Sequence, residues 1–441
     1  MHTTEALLQF IAKSPTAFQA VDEMVSVLEE KGYERLAESE AWTLCAGKGY
    51  YVTRNDSALI AFRIPEKTPR SFMIGAVHTD SPTFKLKKEH LLVGGDYTRL
   101  SAEPYGGSIY SSWLDRPLSV AGRVVLLRDG KFESKSVMLD RDLLVIPSVA
   151  IHFNRNVNTG YAYNPATDLV PLFSDKKGAS LRALIAEELG CREEEIVGED
   201  LFLYNRTAGT VFGAENEFFS APRIDDLMCA WGCLDGFVNS ACPADSVGVY
   251  FAADNEETGS VTRQGAASLF LSDVLDRICE AFGTDRRRML SSSMMVSADN
   301  AHARHPNHPE LSDATNAPRM NGGVVIKSNA SQKYTTDGVS SAIFAQVCQG
   351  AGVPVQYFHN RSDVAGGSTL GAISNTNVPL LSVDIGMAQL AMHSAYETAG
   401  CDDVGYLCRA MRAFYETKLS ALADGGFSIQ TTGDTKGVGD V

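Results

Sequence analysis

Three stretches of the chain end an apolar run directly in groups that can bind metal or move protons, and a fourth reaches one a few residues later. His78 and Asp80 close "SFMIGAVHTDSP" (Ser71–Pro82). Asp254, Glu256 and Glu257 follow the apolar part of "SVGVYFAADNEETGS" (Ser246–Ser260). Asp299 ends "SSMMVSAD" (Ser292–Asp299), and His393 lies shortly beyond "VPLLSVDIG" (Val378–Gly386). A fifth segment, "APRIDDL", puts Asp225 and Asp226 at the start of a helical pattern. Adjacent carboxylates repel one another, and each costs desolvation free energy on leaving water.

Taken singly, each group has an ordinary explanation. Asp225 or Asp226 alone reads as a helix cap or first-turn acid. Glu256-Glu257 alone reads as a solvated loop, and His78 alone as a hydrogen-bonded core histidine. Their recurrence at equivalent places changes the reading, because so many acids at one edge require a compensating cation. A mixture of carboxylate and imidazole donors suits Zn²⁺ or a similar divalent transition metal. A second histidine-rich stretch, "HARHPNH", spaces His302, His305 and His308 by three. Pro306 and Pro309 prevent one regular helical face there, and no HExxH occurs, so these residues read as loop histidines in the wall of a site.

The elements that must position these groups alternate. Ser57–Pro65, Ser71–His78, Ser246–Asp254, Ser292–Asp299, Val353–Phe358 and Val378–Gly386 read as strands. The first ~35 residues, Asp225–Val238, Ala266–Phe282, Val339–Gly352 and the region after Cys401 read as helices. The pattern predicts an α/β fold, a mixed sheet flanked by helices on both faces, in which strand carboxyl ends form the ligand site. Between residues 88 and 212 the texture is different. Gly122–Leu139 reads as a hairpin turning at Asp129-Gly130, within aromatic and Gly-rich sequence. The expected organisation is a catalytic domain split between 1–87 and 213–427, a β-rich insertion at 88–212, and a mobile polar tail at 428–441.

The chain of 441 residues carries a net charge of −15, which excludes a broad nucleic-acid-binding face. No apolar stretch is long enough to span a membrane, and no signal peptide is evident at the N-terminus. Nine scattered cysteines without a CxxC fit a reducing cytoplasm, with Cys229 and Cys233 as buried thiols.

The segments "HTDSPTFKLK", "PRIDDL", "DNEETGS", "SADNAHARHPN" and "QLAMHS", in this order, resemble the motifs of the M18 aspartyl aminopeptidases. "SPTAFQAV" and "IPSVAIHFNRN" resemble that family too, and the likeness covers about residues 10 to 420. It implies a cocatalytic two-metal exopeptidase with a dimerisation domain inserted into its zinc-exopeptidase-like catalytic domain. By matching motif, one metal, most simply Zn²⁺ but with Co²⁺ or Mn²⁺ also suited, falls to His78, Asp225 and Asp299. The other falls to Asp225, Glu257 and His393, with Asp225 bridging. Glu256 would be the general base, and Asp80 would orient His78. Lys327 and Tyr334 match substrate-contacting positions, Lys327 favouring an N-terminal Asp or Glu. His152 would reach a neighbouring subunit's site in a homododecamer built from dimers. Asp226 departs from the family pattern, in which Asn is frequent, and reads as a first-turn acid. A broader-specificity aminopeptidase, a non-catalytic metal-binding assembly protein, and a carboxypeptidase or deacylase using Arg223, Arg304 or Arg361 are the competing readings.

Overall fold

The computed structural model describes residues 2–241, 243–367 and 369–431. Its centre is a nine-stranded mixed sheet. In spatial order the strands are Glu34–Arg35, Gly49–Arg54, Ala58–Arg63, Ser246–Ala253, Ser71–His78, Met294–Ala298, Leu381–Gly386, Val324–Lys327 and Val355–Phe358. The middle four, from Ser246–Ala253 to Leu381–Gly386, run parallel. Their carboxyl ends therefore share one edge, and the register sets Ala253 beside His78.

These strands are mostly apolar because both faces are covered. Every residue of Ser71–His78 and of Ser246–Ala253 is buried. Side chains alternate between two cores, as a period of two demands. Met73, Val77, Tyr250 and Ala252 face helices Ile224–Asn239, Gly338–Gly350 and Cys401–Tyr415. Ile74, Ala76, Val249 and Phe251 face helix Phe270–Phe282. Helices Ile224–Asn239 and Cys401–Tyr415 approach closely at Gly236, where a Cβ would sit 2.7 Å from the Arg412 nitrogen.

The N-terminal region differs from the single helix expected. It forms two, His2–Lys13 and Ala17–Glu30, because Pro15 lacks an N–H and disfavours helical backbone at Ser14. At the other end, Ser428–Thr431 are not part of a mobile tail. They belong to the strand Phe427–Thr431, which pairs with Thr417–Ala421. The rest of the expected tail lies outside the described residues.

A six-stranded antiparallel sheet contains Lys131–Met138, Leu118–Arg128, Ile196–Asn205, Thr83–Gly94, Tyr97–Tyr105 and Leu172–Ser174, in that order. It has its own core, built around Phe84, Leu100, Val120, Val124 and Leu201 and covered by helix Leu181–Leu189. Its hairpin turns at Asp129-Gly130, both with positive φ, as an Asp-Gly turn requires. A third sheet of five short strands was not foreseen. It joins Thr210–Phe212, Phe218–Ala221, Glu397–Gly400, Ala388–Leu390 and Ala301–His302. Strands of two to four residues carry too little periodicity to be read from sequence.

Candidate metal centre

The shared edge of the parallel strands gathers the predicted acids and histidines. Ligand atoms of His78, Asp225, Asp226 and Asp299 lie within 4.8 Å of one another, as do those of Asp225, Glu257 and His393. His78, Glu256 and Glu257 form a third such group. Asp225 joins the first two. Its Oδ1 is 3.5 Å from His78 Nε2, and its Oδ2 is 3.4 Å from His393 Nε2. Glu257 Oε1 stands 3.4 Å from the same His393 nitrogen.

Both imidazoles present Nε2 to the centre for a definable reason. His78 Nδ1 lies 3.1 Å from the Asp80 carbonyl, and His393 Nδ1 lies 2.9 Å from the Gly107 carbonyl. A carbonyl only accepts, so each Nδ1 donates its proton there, and in the neutral ring Nε2 keeps its lone pair for a metal. The Asp80 carboxylate is farther from His78 Nδ1, at 3.5 Å. Its two oxygens instead accept the backbone N–H groups of Glu256 (3.1 Å) and Glu257 (3.2 Å). Glu256-Glu257 begins a short 3-10 turn after Asn255, whose φ is 62°.

Asp226 does not behave as a first-turn acid. It and Asp225 have non-helical dihedrals, so the regular helix starts after them, and both are buried. Asp226 Oδ2 accepts the backbone N–H of His78 at 3.2 Å. Glu397 is a further buried acid that the sequence reading missed. It accepts the N–H of Asp225 (3.0 Å) and of His393 (2.7 Å), tying these two residues together. Its one sequence signal is its position four residues after His393. A cavity of about 200 Å³ runs behind the centre, past Asp80, Asp225 and Glu397 and between Phe18, Tyr105 and Phe202.

The other candidates supply no ligand atom to these groups among the described residues. Lys327 is buried behind Asp299, donating to its carbonyl at 2.6 Å, with the ammonium 5.1 Å from the Tyr334 ring centre. His152 is on an exposed loop and joins no metal-competent group among the described residues. His302, His305 and His308 are exposed and join none either; His308 Nδ1 sits 3.1 Å from Glu310. Arg223 donates to the Ser14 and Ile11 carbonyls and Arg361 to Asp363, so neither supplies a free pocket for a substrate carboxylate.

Comparison with known proteins agrees with this geometry. The pattern of the Aminopeptidase I zinc metalloprotease (M18) family matches residues 10–415. The chain belongs to the M18 family. It is 45% identical to the "Probable M18 family aminopeptidase 2" of Clostridium novyi, over 93% of this chain and 97% of that protein. A chain of the Ape4 and Nbr1 complex, solved by cryo-EM, superposes with a TM-score of 0.90 at 34% identity, over 94% of this chain and 85% of that one. The S. cerevisiae mApe1 dodecamer gives 0.82 at 26% identity, over 93% and 95%. The mixed α/β architecture is the M18 fold, and the chain is a metalloaminopeptidase.

The electrostatics of this M18 centre fit bound divalent cations. Asp225 Oδ1, Asp226 Oδ1 and Glu257 Oε1 are buried without a hydrogen-bond partner among the described residues, so their lone pairs are available. Without a cation the acids strain one another. Burial, then the neighbouring charges of Asp299, Asp80 and Asp225, push Glu256 up to about 7 against the opposing pull of His78. Burial and Asp225 push Glu257 well above the carboxylate range. Burial also raises Asp226. For His393 burial opposes protonation, but Asp225 and Glu257 outweigh it and raise the imidazole to about 10. Such a set of mutually raised acids and captured histidines is what cations would relieve.

Proposed function

We propose that this chain is a two-metal aminopeptidase of broad specificity that hydrolyses the N-terminal peptide bond of peptides. The observation that supports it most is Asp225, whose two oxygens each face a different imidazole. His78, Asp225 and Asp299 would hold one cation, and Asp225, Glu257 and His393 the other, with Zn²⁺ favoured by the donor set and Co²⁺ or Mn²⁺ compatible. Bound there, such cations supply a water of lowered pKa, a polarised carbonyl and an anchor for a free α-amine.

The chain's own residues do the rest. Glu256, beside His78 and Glu257 at the centre, takes the attacking water's proton and returns it to the leaving amine. Asp80 fixes the turn that carries Glu256 and Glu257. Glu256→Gln is expected to keep two Zn²⁺ per chain while losing hydrolysis. Retained turnover would remove Glu256 from the mechanism. Products of a short peptide such as Asp-Ala-Pro would establish which end is cut.

A narrower reading, preference for N-terminal Asp or Glu, rests on Lys327. Its ammonium already serves the Asp299 carbonyl, which favours the broader specificity. Lys327→Ala should impair Asp-p-nitroanilide and Leu-p-nitroanilide alike. A selective loss on the Asp substrate would restore the narrower reading. The domain division proposed is 1–87 with 213–427, interrupted by 88–212, with both boundaries adjusted by strand pairing: Thr83–Gly94 belongs to the sheet of the insertion, and Thr210–Phe212 pairs with Phe218–Ala221 outside it. Val149, Ile151 and Phe153 are exposed on the loop bearing His152, and Phe153 is 87% exposed. That loop suits self-association through the insertion, into dimers and a dodecamer like that of mApe1, with His152 entering a neighbour's site. No described helix is long and apolar enough to cross a membrane. The described cysteines are free thiols, which suits a cytoplasmic setting.

A further inference from the structure

The strand Tyr97–Tyr105 lies in the six-stranded sheet, whose core is separate from that of the metal-bearing sheet. Its last residue and the two that follow nevertheless meet the centre. Tyr105 donates its hydroxyl proton to Asp80 Oδ2 at 2.8 Å and accepts from Asn255 Nδ2 at 2.8 Å. Asp80 in turn receives the backbone N–H groups of Glu256 and Glu257. The phenol thus closes a ring of hydrogen bonds around the turn that presents the proton-transfer group and a metal ligand. Gly107 accepts from His393 Nδ1 at 2.9 Å. Between them, Gly106 has φ of 71°, and a Cβ there would lie 3.1 Å from Glu257 Cβ. Three consecutive residues therefore touch the supports or side chains of Glu256, Glu257 and His393.

We propose that Tyr105, Gly106 and Gly107 form a clasp of positioning residues for the half of the centre made by Glu257 and His393, and for Glu256. The assignment rests on the two-metal reading. Residues that hydrogen-bond to metal ligands set their orientation and basicity. This half needs such help because its residues ride on a short turn and a loop. Asn255 and His393 both have positive φ, at 62° and 68°, a backbone that side-chain-bearing residues keep only when their surroundings hold it. The six-stranded sheet is also tied to the rest of the fold by hydrogen bonds away from the clasp. Gln19 Nε2 donates to the Gly122 carbonyl at 2.7 Å, and Arg123 donates to the Asn55 carbonyl at 2.8 Å.

Tyr105→Phe deletes only the hydroxyl, so it tests the clasp with little change in packing. The demetallated full-length chain is titrated with Zn²⁺ against a chromophoric chelator, and kcat and KM are then measured on the loaded enzyme. The expected result is that one of two affinities weakens about 10-fold while the other holds, and that kcat falls more than about fivefold with KM changed by less than about twofold. Gly106→Ala, which crowds Glu257 and strains a positive φ, should weaken the same affinity. The far-UV spectrum of both variants should match the wild type. Two wild-type affinities and a wild-type kcat in both variants would overturn the proposal. So would equal weakening of both affinities with a changed spectrum, which would mean a structural role only. A wild-type chain that binds a single Zn²⁺ would instead reject the two-metal reading itself.

Discussion

The two halves of the metal centre are built differently. His78 and Asp299 sit at or just beyond the ends of adjacent parallel strands, and strand pairing fixes their backbones. Glu257 and His393 sit on a 3-10 turn and a loop, and their geometry comes from hydrogen bonds to Asp80, Glu397 and Gly107. His78 is 1% exposed, whereas His393 is 32% exposed. One half is part of the sheet; the other is assembled against it. The second half should therefore be the looser and the more easily perturbed, and Asp225 is the group on which both depend.

Asp225→Asn should break both halves. It removes the charge that faces both imidazoles, and activity should fall by more than about 10⁴-fold, beyond the usual cost of losing one proton-transfer group. Metal analysis after desalting should show depletion, and full metal content with near-normal turnover would contradict the bridging role. Glu256→Gln should come next, with a loss of about 10²–10⁴-fold in kcat at unchanged metal content.

Separating the halves is a finer test. His393→Ala should lose one metal and, above about pH 10 where its imidazole is neutral in folded and unfolded chains alike, leave the metal-free chain's denaturant midpoint nearly unchanged. His78→Ala should lower metal-free stability by about 1–3 kcal/mol, because it empties a packed, hydrogen-bonded position. Equal stability losses would erase the distinction drawn between sheet-built and loop-built halves. Glu397→Gln should weaken Zn²⁺ binding by about 10–100-fold, the usual consequence of disturbing a ligand's hydrogen-bond partner.

The pH response of the metal-free chain tests the same electrostatics. Burial raises Glu397 to about 8 and Glu256 to about 7. In the unfolded chain these glutamates titrate near 4.5, so between about pH 4.5 and 8 the folded state binds more protons, and its stability falls as pH rises. His393, raised to about 10 from 6.5, adds a contribution present below about pH 6.5 and lost toward pH 10, in the same direction. Denaturant titrations at pH 5 and pH 8 should show the decline, and saturating Zn²⁺ should stabilise more at pH 8 than at pH 5. A metal-free chain more stable at pH 8 would contradict this account. The smallest effect belongs to the other histidine cluster: replacing His305 and His308 with alanine should change turnover by less than about twofold, since both are exposed.

The parallel-strand half was readable in sequence because its signals are local. Apolar runs end at His78, Asp254 and Asp299, and buried parallel strands must present their carboxyl ends together. Ordered motifs resembling one family supplied the expected ligand roles of Asp225, Glu257 and His393. The contributions of Asp226, Glu397, Tyr105 and Gly107 were not readable in the same way. Asp226 looks like any first-turn acid until the chain is seen to be non-helical there. Glu397 lies in a four-residue strand of a sheet whose members come from distant parts of the chain. Lys327 shows the converse: the motif marks its position, but only packing reveals that its ammonium already serves Asp299.

The sequence by itself determined the alternation of strands and helices and the placing of acids and histidines suited to cations at strand ends, because periodicity and charge are properties of the chain. Tertiary structure alone decided which carboxylate faces two imidazoles, which nitrogen each histidine offers, and which neighbours hold Glu256 and Glu257 in place. Those depend on distances of a few ångströms between residues far apart in the chain. Hydrogen bonds and Coulomb forces act through space, and only the folded backbone sets that spacing.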